Sequence, residues 1–164
     1  TSMGIGDPSA RLDIALLRDG PSWLGLRLAA SAKVPVADVD RGFGTGAWDG
    51  GLGLSLSKRI GSWFLFGDAM YWWLGDMADV VLNNSVAYSA SVGRSLSGGK
   101  LGVLASLSGY SSEIIENVEP PLQAGLGANY NLSQGKYGIN GALTFGLVES
   151  TPDVAVSLGW HVNF

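Results

Sequence analysis

Apolar and polar residues alternate along most of this chain, in about nine runs of roughly ten residues each. Alternation with a period of two predicts β-strands that have one apolar and one polar face. The first run has Leu16 on its apolar face, and the fifth run begins at Leu82. The fourth run, Trp63 to Trp73, is apolar on both faces apart from Asp68, so its orientation stays open.

The connections between the predicted strands alternate between short turns and longer loops. The short turns lie near Asp19 and at Lys58–Gly61, Ser95–Lys100 and Ser133–Gly135. The longer loops are Val34–Asp49, Gly75–Asp79, Ser111–Pro121 and Val148–Asp153. Strands of about ten residues with this alternation are typical of bacterial outer-membrane proteins. We therefore predict an all-β, antiparallel up-and-down transmembrane β-barrel of about eight to ten strands, forming one domain over residues 1–164.

A soluble barrel or sandwich is the alternative, because alternation alone does not say which face is inside. The polar face consists mainly of Ser, Gly, Ala and Asn and carries few charges. A sheet that faces water normally carries Lys and Glu for solubility, so small polar residues favour a crowded, wet lumen.

Aromatic residues fall near strand ends, where a transmembrane barrel has its interfacial girdles. The predicted girdle residues are Trp23, Trp48, Trp63, Trp73, Tyr137 and Trp160.

Charges are also sorted between the two kinds of connection. Ten of the 14 acidic residues lie in or beside the long loops: Asp38, Asp40, Asp49, Asp76, Asp79, Glu113, Glu116, Glu119, Glu149 and Asp153. Six of the ten basic residues lie at the short turns: Arg18, Lys58, Arg59, Arg94, Lys100 and Lys136. Such sorting indicates a protein that meets two chemically different surfaces.

Composition narrows the functional classes. Charged residues make up 15% and hydrophobic residues 46%, yet no apolar stretch is long enough for a membrane helix. The absence of cysteine excludes disulfides and thiolate metal sites, and the net charge of −4 argues against a nucleic-acid partner. Residues 1–4 show no targeting segment, so we expect that an exported protein has lost it or carries it upstream.

The last residues form an alternating apolar pattern of Trp160, Val162 and Phe164. This pattern resembles the C-terminal signature of bacterial outer-membrane proteins. The resemblance implies recognition by the barrel-assembly machinery during insertion.

A second resemblance rests on glycine-rich motifs between residues 1 and 95. Gly4-Ile5-Gly6-Asp7 leads into a strand, Lys33-Val34-Pro35 follows, and Gly42-Phe43-Gly44-Thr45-Gly46 and Asp49 precede the next strand. This order resembles the outer-membrane protein family of the phenol-degradation meta-pathway, whose members are often labelled transporters. The resemblance implies an outer-membrane barrel that admits hydrophobic or aromatic compounds.

The chain departs from that family in two ways. Pro35-Val36-Ala37-Asp38 stands where the family has Pro-Thr-Gly-Asp. Family members also have further strands before the Gly-x-Gly-Asp segment. This chain has about nine predicted strands, whereas single-chain bacterial barrels normally have an even number. A partial strand at Met3–Asp7, a miscount and a longer parent chain all remain open. A truncated barrel is expected to pair with missing strands or with another copy.

Four charged residues lie within predicted strands, namely Arg11, Asp13, Arg27 and Asp68, and the only histidine is His161. We assign these five to a lumen or constriction. An ion-pair network that rigidifies the barrel and a filter that selects solutes by charge are both open. No catalytic set is predicted, because Asn163 stands where a serine would be needed beside His161. A single histidine also argues against a metal site, and no cofactor site is predicted.

These observations predict a bacterial outer-membrane protein without enzymatic activity. The first hypothesis is a passive channel for small solutes, surrounded by membrane lipid and lipopolysaccharide. The alternative is a non-conducting barrel that serves as an anchor or interaction platform, with its lumen filled by Phe64, Phe66 and the charges.

Overall fold

The computed structural model describes residues 3–77, 80–132 and 136–162. These residues form nine strands: β1 Ser9–Leu17, β2 Gly25–Lys33, β3 Asp49–Ile60, β4 Trp63–Trp73, β5 Ser85–Leu96, β6 Leu101–Tyr110, β7 Leu122–Leu132, β8 Tyr137–Gly146 and β9 Val154–Val162. A single 3-10 turn, Ser97–Gly99, lies between β5 and β6. Within the described ranges, no helix is long and apolar enough to cross a membrane.

All nine strands belong to one sheet, and each pairs antiparallel with the next strand in sequence. The prediction of an all-β, up-and-down antiparallel fold is therefore confirmed, and so is a strand number within the expected range. The sheet is open, with β1 and β9 at its two edges.

The pairing register shifts the strands progressively along the strand direction from β1 to β9. Leu17 at the end of β1 is joined through successive cross-strand partners to Val154 at the beginning of β9. Both strands have nine residues and run in the same direction, so the start of β9 lies level with the end of β1. Along the strand direction, β9 is therefore displaced from β1 by about eight residues. At about 3.3 Å per residue and about 4.8 Å per strand spacing, this stagger corresponds to a tilt of roughly 35°.

The register also settles which residues share a face. In β4, Trp63, Leu65, Tyr71 and Trp73 lie with the leucines of β3, whereas Phe64, Phe66, Asp68 and Trp72 lie with the serines and glycines. The ambiguous fourth run thus has an apolar face and a mixed face. We call the side that carries the serines and glycines the polar face, and the opposite side the apolar face.

Burial in this sheet is the reverse of that in a water-soluble sheet. Most of the buried strand residues lie on the polar face: Gly25, Ala29, Gly51, Met70, Ser85, Gly93 and Gly138, with Gly109 on the apolar face. On the apolar face, Leu54 and Leu126 are 50% and 56% exposed although they lie in the interior strands β3 and β7. The polar face is therefore the crowded side, and the described residues form no apolar core.

Two sequence expectations about boundaries were wrong, and one irregularity was not expected. A β-bulge between Ala15 and Leu17 interrupts the pairing of β1 with β2, so Leu17 lies opposite Leu26. Lys58 belongs to β3, and the tight turn is Gly61–Ser62, where Gly61 adopts the left-handed φ of 59° that glycine permits. The connection expected at Gly75–Asp79 is longer and covers residues 74–84. Leu82 does not begin the fifth strand as expected but pairs with Ile115, in the loop between β6 and β7.

Candidate functional site

The polar face carries a transverse row of hydrogen-bonding side chains near the middle of the sheet. The register aligns Arg27, Ser55, Asp68, Ser89, Ser108 and Gln123 on six successive strands. Ser89 donates a hydrogen bond to Asp68, and the Gln123 amide donates to Ser108 over 3.2 Å. A band of this kind offers donors and acceptors to a polar solute across most of the sheet's width.

A bidentate ion pair lies beside this row on the edge strand. Arg11 Nε and Nη2 donate to the two carboxylate oxygens of Asp13 over 2.9 and 3.0 Å. Both side chains are about half exposed. The pair lies within one strand, so it does not tie neighbouring strands together.

The five predicted lumen residues share the polar face but do not form one cluster. Arg27 and Asp68 lie in the same row, two strands apart and separated by Ser55. His161 lies at the end of the sheet where the short turns are, and its ring occupies the space that a side chain on Gly138 would take. Among the described residues the only ion pair within this set is Arg11–Asp13, which leaves a solute filter and a local structural role both possible for Arg27 and Asp68.

An apolar patch interrupts the polar face farther from β1. Phe64, Phe66 and Leu104 line a hollow of about 430 Å³, and the glycines beside them leave its floor open. Asn129 and Asn140 also line this hollow.

The predicted girdle residues lie at or near strand ends, towards the sheet's two ends. Trp63 and Tyr137 are the first residues of their strands, Trp73 is the last of β4, and Trp48 immediately precedes β3. Trp160 is two residues from the end of β9 and 81% exposed. Trp23 precedes β2, and its indole ring lies close to Gly20 in the turn.

Basic side chains accompany the aromatic rings at the short-turn end. The Arg94 guanidinium lies 5.1 Å from the centre of the Trp63 ring, and Arg59 lies 5.3 Å from that of Phe64. Lys136 lies 5.8 Å from the ring of Tyr137. A cation held beside an aromatic ring is the composition expected of an interfacial band.

A compact cluster at the long-loop end was not assigned any role from the sequence. Asp7 accepts hydrogen bonds from the backbone N–H groups of Val36, Ala37 and Thr45 over 3.1, 2.9 and 3.0 Å. The Asp7 side chain is only 6% exposed. These backbone donors, led by those of Ala37 and Thr45, hold the pKa of Asp7 below its ordinary value of 3.8, and the nearby Lys33 ammonium acts in the same direction.

Lys33 links this carboxylate to the start of β3. Its ammonium lies 2.6 Å from Asp49 and 4.0 Å from Asp7, and it also donates to the Thr45 hydroxyl. We call Asp7, Lys33, Thr45 and Asp49 the loop anchor, and residues 34–48 the β2–β3 loop. The motifs around Asp7, Lys33 and Gly44 were visible in the sequence, but their meeting point was not.

The acidic loops do not assemble into a metal site within the described residues. Glu113 instead accepts the backbone N–H of Asn117 over 3.0 Å. In the C-terminal pattern, Trp160 and Val162 share the apolar face of β9, and Phe164 lies outside the described residues. The predicted turn at 133–135 and the loop residue Asp79 also lie outside them.

No protein-family model and no curated protein matches this chain.

Proposed function

We propose that this chain forms part or all of a transmembrane β-barrel in a bacterial outer membrane and acts as a passive channel for small solutes. The observation that carries the proposal is the inverted burial of the sheet. Leu54 and Leu126 are half exposed on interior strands, whereas small and polar residues are buried on the other face. Lipid supplies the apolar surroundings that this exposed face needs, and the polar face is left to line a lumen.

The ends of the strands support a membrane location. Trp63, Tyr137 and the neighbouring cations suit the headgroup level at one end, and Trp48 and Trp73 suit it at the other. Trp160 and Val162 on the apolar face of β9 are available for recognition during insertion, as the C-terminal resemblance implies.

The stagger of the strands supports closure into a barrel. A tilt of roughly 35° is close to that of transmembrane barrels, in which the tilt and the register shift are linked by closure. Unpaired strand edges are costly in lipid, so β1 and β9 are expected to pair with one another, with further strands or with a second copy.

The polar face supports conduction in two ways. The row from Arg27 to Gln123 gives a solute hydrogen-bonding partners, and Arg27 and Asp68 present opposite charges to it. The family resemblance favours hydrophobic or aromatic solutes. The patch of Phe64, Phe66 and Leu104 favours the alternative, a non-conducting anchor, if it fills the lumen.

Single-channel recording in a planar phospholipid bilayer tests the proposal. We expect discrete conductance steps whose ion selectivity changes in Arg27→Ala and Asp68→Asn. Stable insertion without current in the wild-type protein rejects the channel and favours the anchor.

A matched pair of substitutions tests the membrane location separately. Leu54→Arg places a charge on the apolar face and should reduce the stability of the folded protein in lipid by about 2–4 kcal/mol. Ser55→Arg, at the adjacent position on the polar face, should cost clearly less. Equal losses would contradict lipid contact for the apolar face.

A further inference from the structure

The β2–β3 loop is wrapped around a single buried carboxylate. The three backbone N–H groups that donate to Asp7 come from both halves of the loop, at Val36, Ala37 and Thr45. One side chain therefore holds the loop's two halves together, and the loop cannot move outward as a unit without breaking charge-assisted hydrogen bonds.

The position of Asp7 decides on which side of the sheet the loop lies. Ser9, Lys33 and Asp49 are cross-strand partners on the polar face. The ladder continues beyond Ser9, because Val34 N–H donates to the Pro8 carbonyl over 3.0 Å, so Asp7 points to the same side as Ser9. A loop whose N–H groups converge on Asp7 must lie on that side.

Close packing seals the arrangement at two further points. A side chain on Gly44 would come within 2.7 Å of both Asp7 carboxylate oxygens, and the ring of Phe43 lies directly over Gly4. Asp49 also accepts the N–H of Gly75 over 3.1 Å, which ties the end of the loop to the connection after β4. The loop thus extends along the sheet's end from β1 to β4.

We infer that Asp7 is the positioning residue that fixes the β2–β3 loop over the polar face, where it forms the constriction at the mouth of the channel. This inference rests on the proposed function, since only a conducting barrel has a mouth to narrow. It assigns the narrowest point to the long-loop end, away from the row of Arg27 and Asp68.

Two readouts on the same proteins test the inference. The first is single-channel conductance in a phosphatidylcholine bilayer with potassium chloride. Asp7→Ala should raise conductance by roughly twofold or more, because the narrowest section limits ion flow. Asp38→Ala is the matched control: it removes the same charge from the same loop, where the half-exposed Asp38 carboxylate pairs with the exposed Arg41 and accepts its N–H.

The second readout is the rate of maleimide labelling, which does not depend on conduction. The sequence contains no cysteine, so Ala47→Cys introduces a unique thiol at a methyl group that lies against Gly75. Its labelling should accelerate on the order of tenfold in the Asp7→Ala background, because hydrogen bonds to a charged acceptor are lost. The Asp38→Ala background should leave the rate unchanged.

Gly44→Ala provides an independent variant if Asp7→Ala fails to fold, because it displaces the loop from Asp7 without changing charge. It should raise both conductance and labelling. Faster labelling with unchanged conductance would overturn the constriction while leaving the channel intact. Absence of current from all the proteins would overturn the channel and the constriction together, and unchanged labelling would overturn the anchor itself.

Discussion

The two ends of the sheet differ in which charged side chains hold most of the backbone groups of their connections. At the long-loop end, carboxylates accept backbone N–H groups: Asp7, Asp38, Asp49, Asp76 and Glu113 each do so. At the short-turn end, the Lys58 ammonium donates to the carbonyls of Gly20, Pro21 and Trp23. Asp19 completes this second cluster, 3.4 Å from Lys58 and accepting the N–H of Arg59 over 2.8 Å.

This difference gives the charge sorting a local cause. A long loop has no neighbouring strand to accept hydrogen bonds from its N–H groups, so carboxylates accept them instead. In the β1–β2 turn several carbonyls converge on one point, and an ammonium group satisfies them together. The sorting therefore stabilises connections as well as matching two surfaces, and the two ends can be tested separately.

The largest effect is expected from removing the ammonium group at the short-turn end. Lys58→Met keeps the aliphatic stem but removes the ammonium that three carbonyls accept from and that pairs with Asp19, in a site where Lys58 is only 15% exposed. We expect the free energy of unfolding to fall by about 1–3 kcal/mol, measured by urea titration of the protein in lipid vesicles. Lys100→Met, an exposed lysine at another short turn, is the control. Equal losses in the two variants would mean that the clustered carbonyls contribute nothing.

Alternation alone was sufficient to predict the two faces of most strands. Wherever leucine alternates with glycine or serine, as in β3, one pairing register buries the small residues and exposes the leucines. Pattern gave no answer for β4, because Phe64 and Phe66 are as apolar as Leu65 between them, and only the pairing with Arg59 and Ser57 fixes their side. The bulge at Leu16 also left no signal, since Leu16 and Leu17 are the same residue type.

The candidate site was predictable as a face but not as a set of contacts. Alternation placed Arg11, Asp13 and Arg27 on a polar face, and Asp68 was assigned there only because it is charged. Neither argument shows that Arg11 contacts Asp13 while Arg27 forms no ion pair with them. The loop anchor was even harder to predict from the sequence. Asp7 and Thr45 are 38 residues apart, and only the folded β1–β2 hairpin brings them together.

An intermediate effect is expected from protonating Asp7 at the long-loop end. Its folded pKa is lowered below 3.8, so the anchor's contribution is complete above that value and is lost as the pH falls through the lowered pKa. The charged groups facing Asp7 are Lys33 directly and Asp49 through Lys33. The Thr45 amide resonance in micelles should therefore shift with a midpoint below 3.8, and Asp7→Asn should abolish the shift. A midpoint at or above that value would contradict the anchor geometry.

The smallest effect is expected for the cation beside an aromatic ring at the short-turn end. Arg94 and Trp63 are direct cross-strand partners on the apolar face, with the guanidinium 5.1 Å from the ring centre. A double-mutant cycle with Arg94→Ala and Trp63→Leu should give a coupling free energy of about 0.5–1 kcal/mol.

The same cycle with Arg59→Ala and Phe64→Leu provides the comparison on the polar face, where the distance is 5.3 Å. Its coupling should be weaker, because phenylalanine attracts a cation less than tryptophan does and because a wet lumen screens the interaction more than a headgroup interface. Arg94→Lys should retain part of the coupling, since the charge remains. A stronger coupling on the polar face than on the apolar face would contradict the assignment of the apolar face to the membrane.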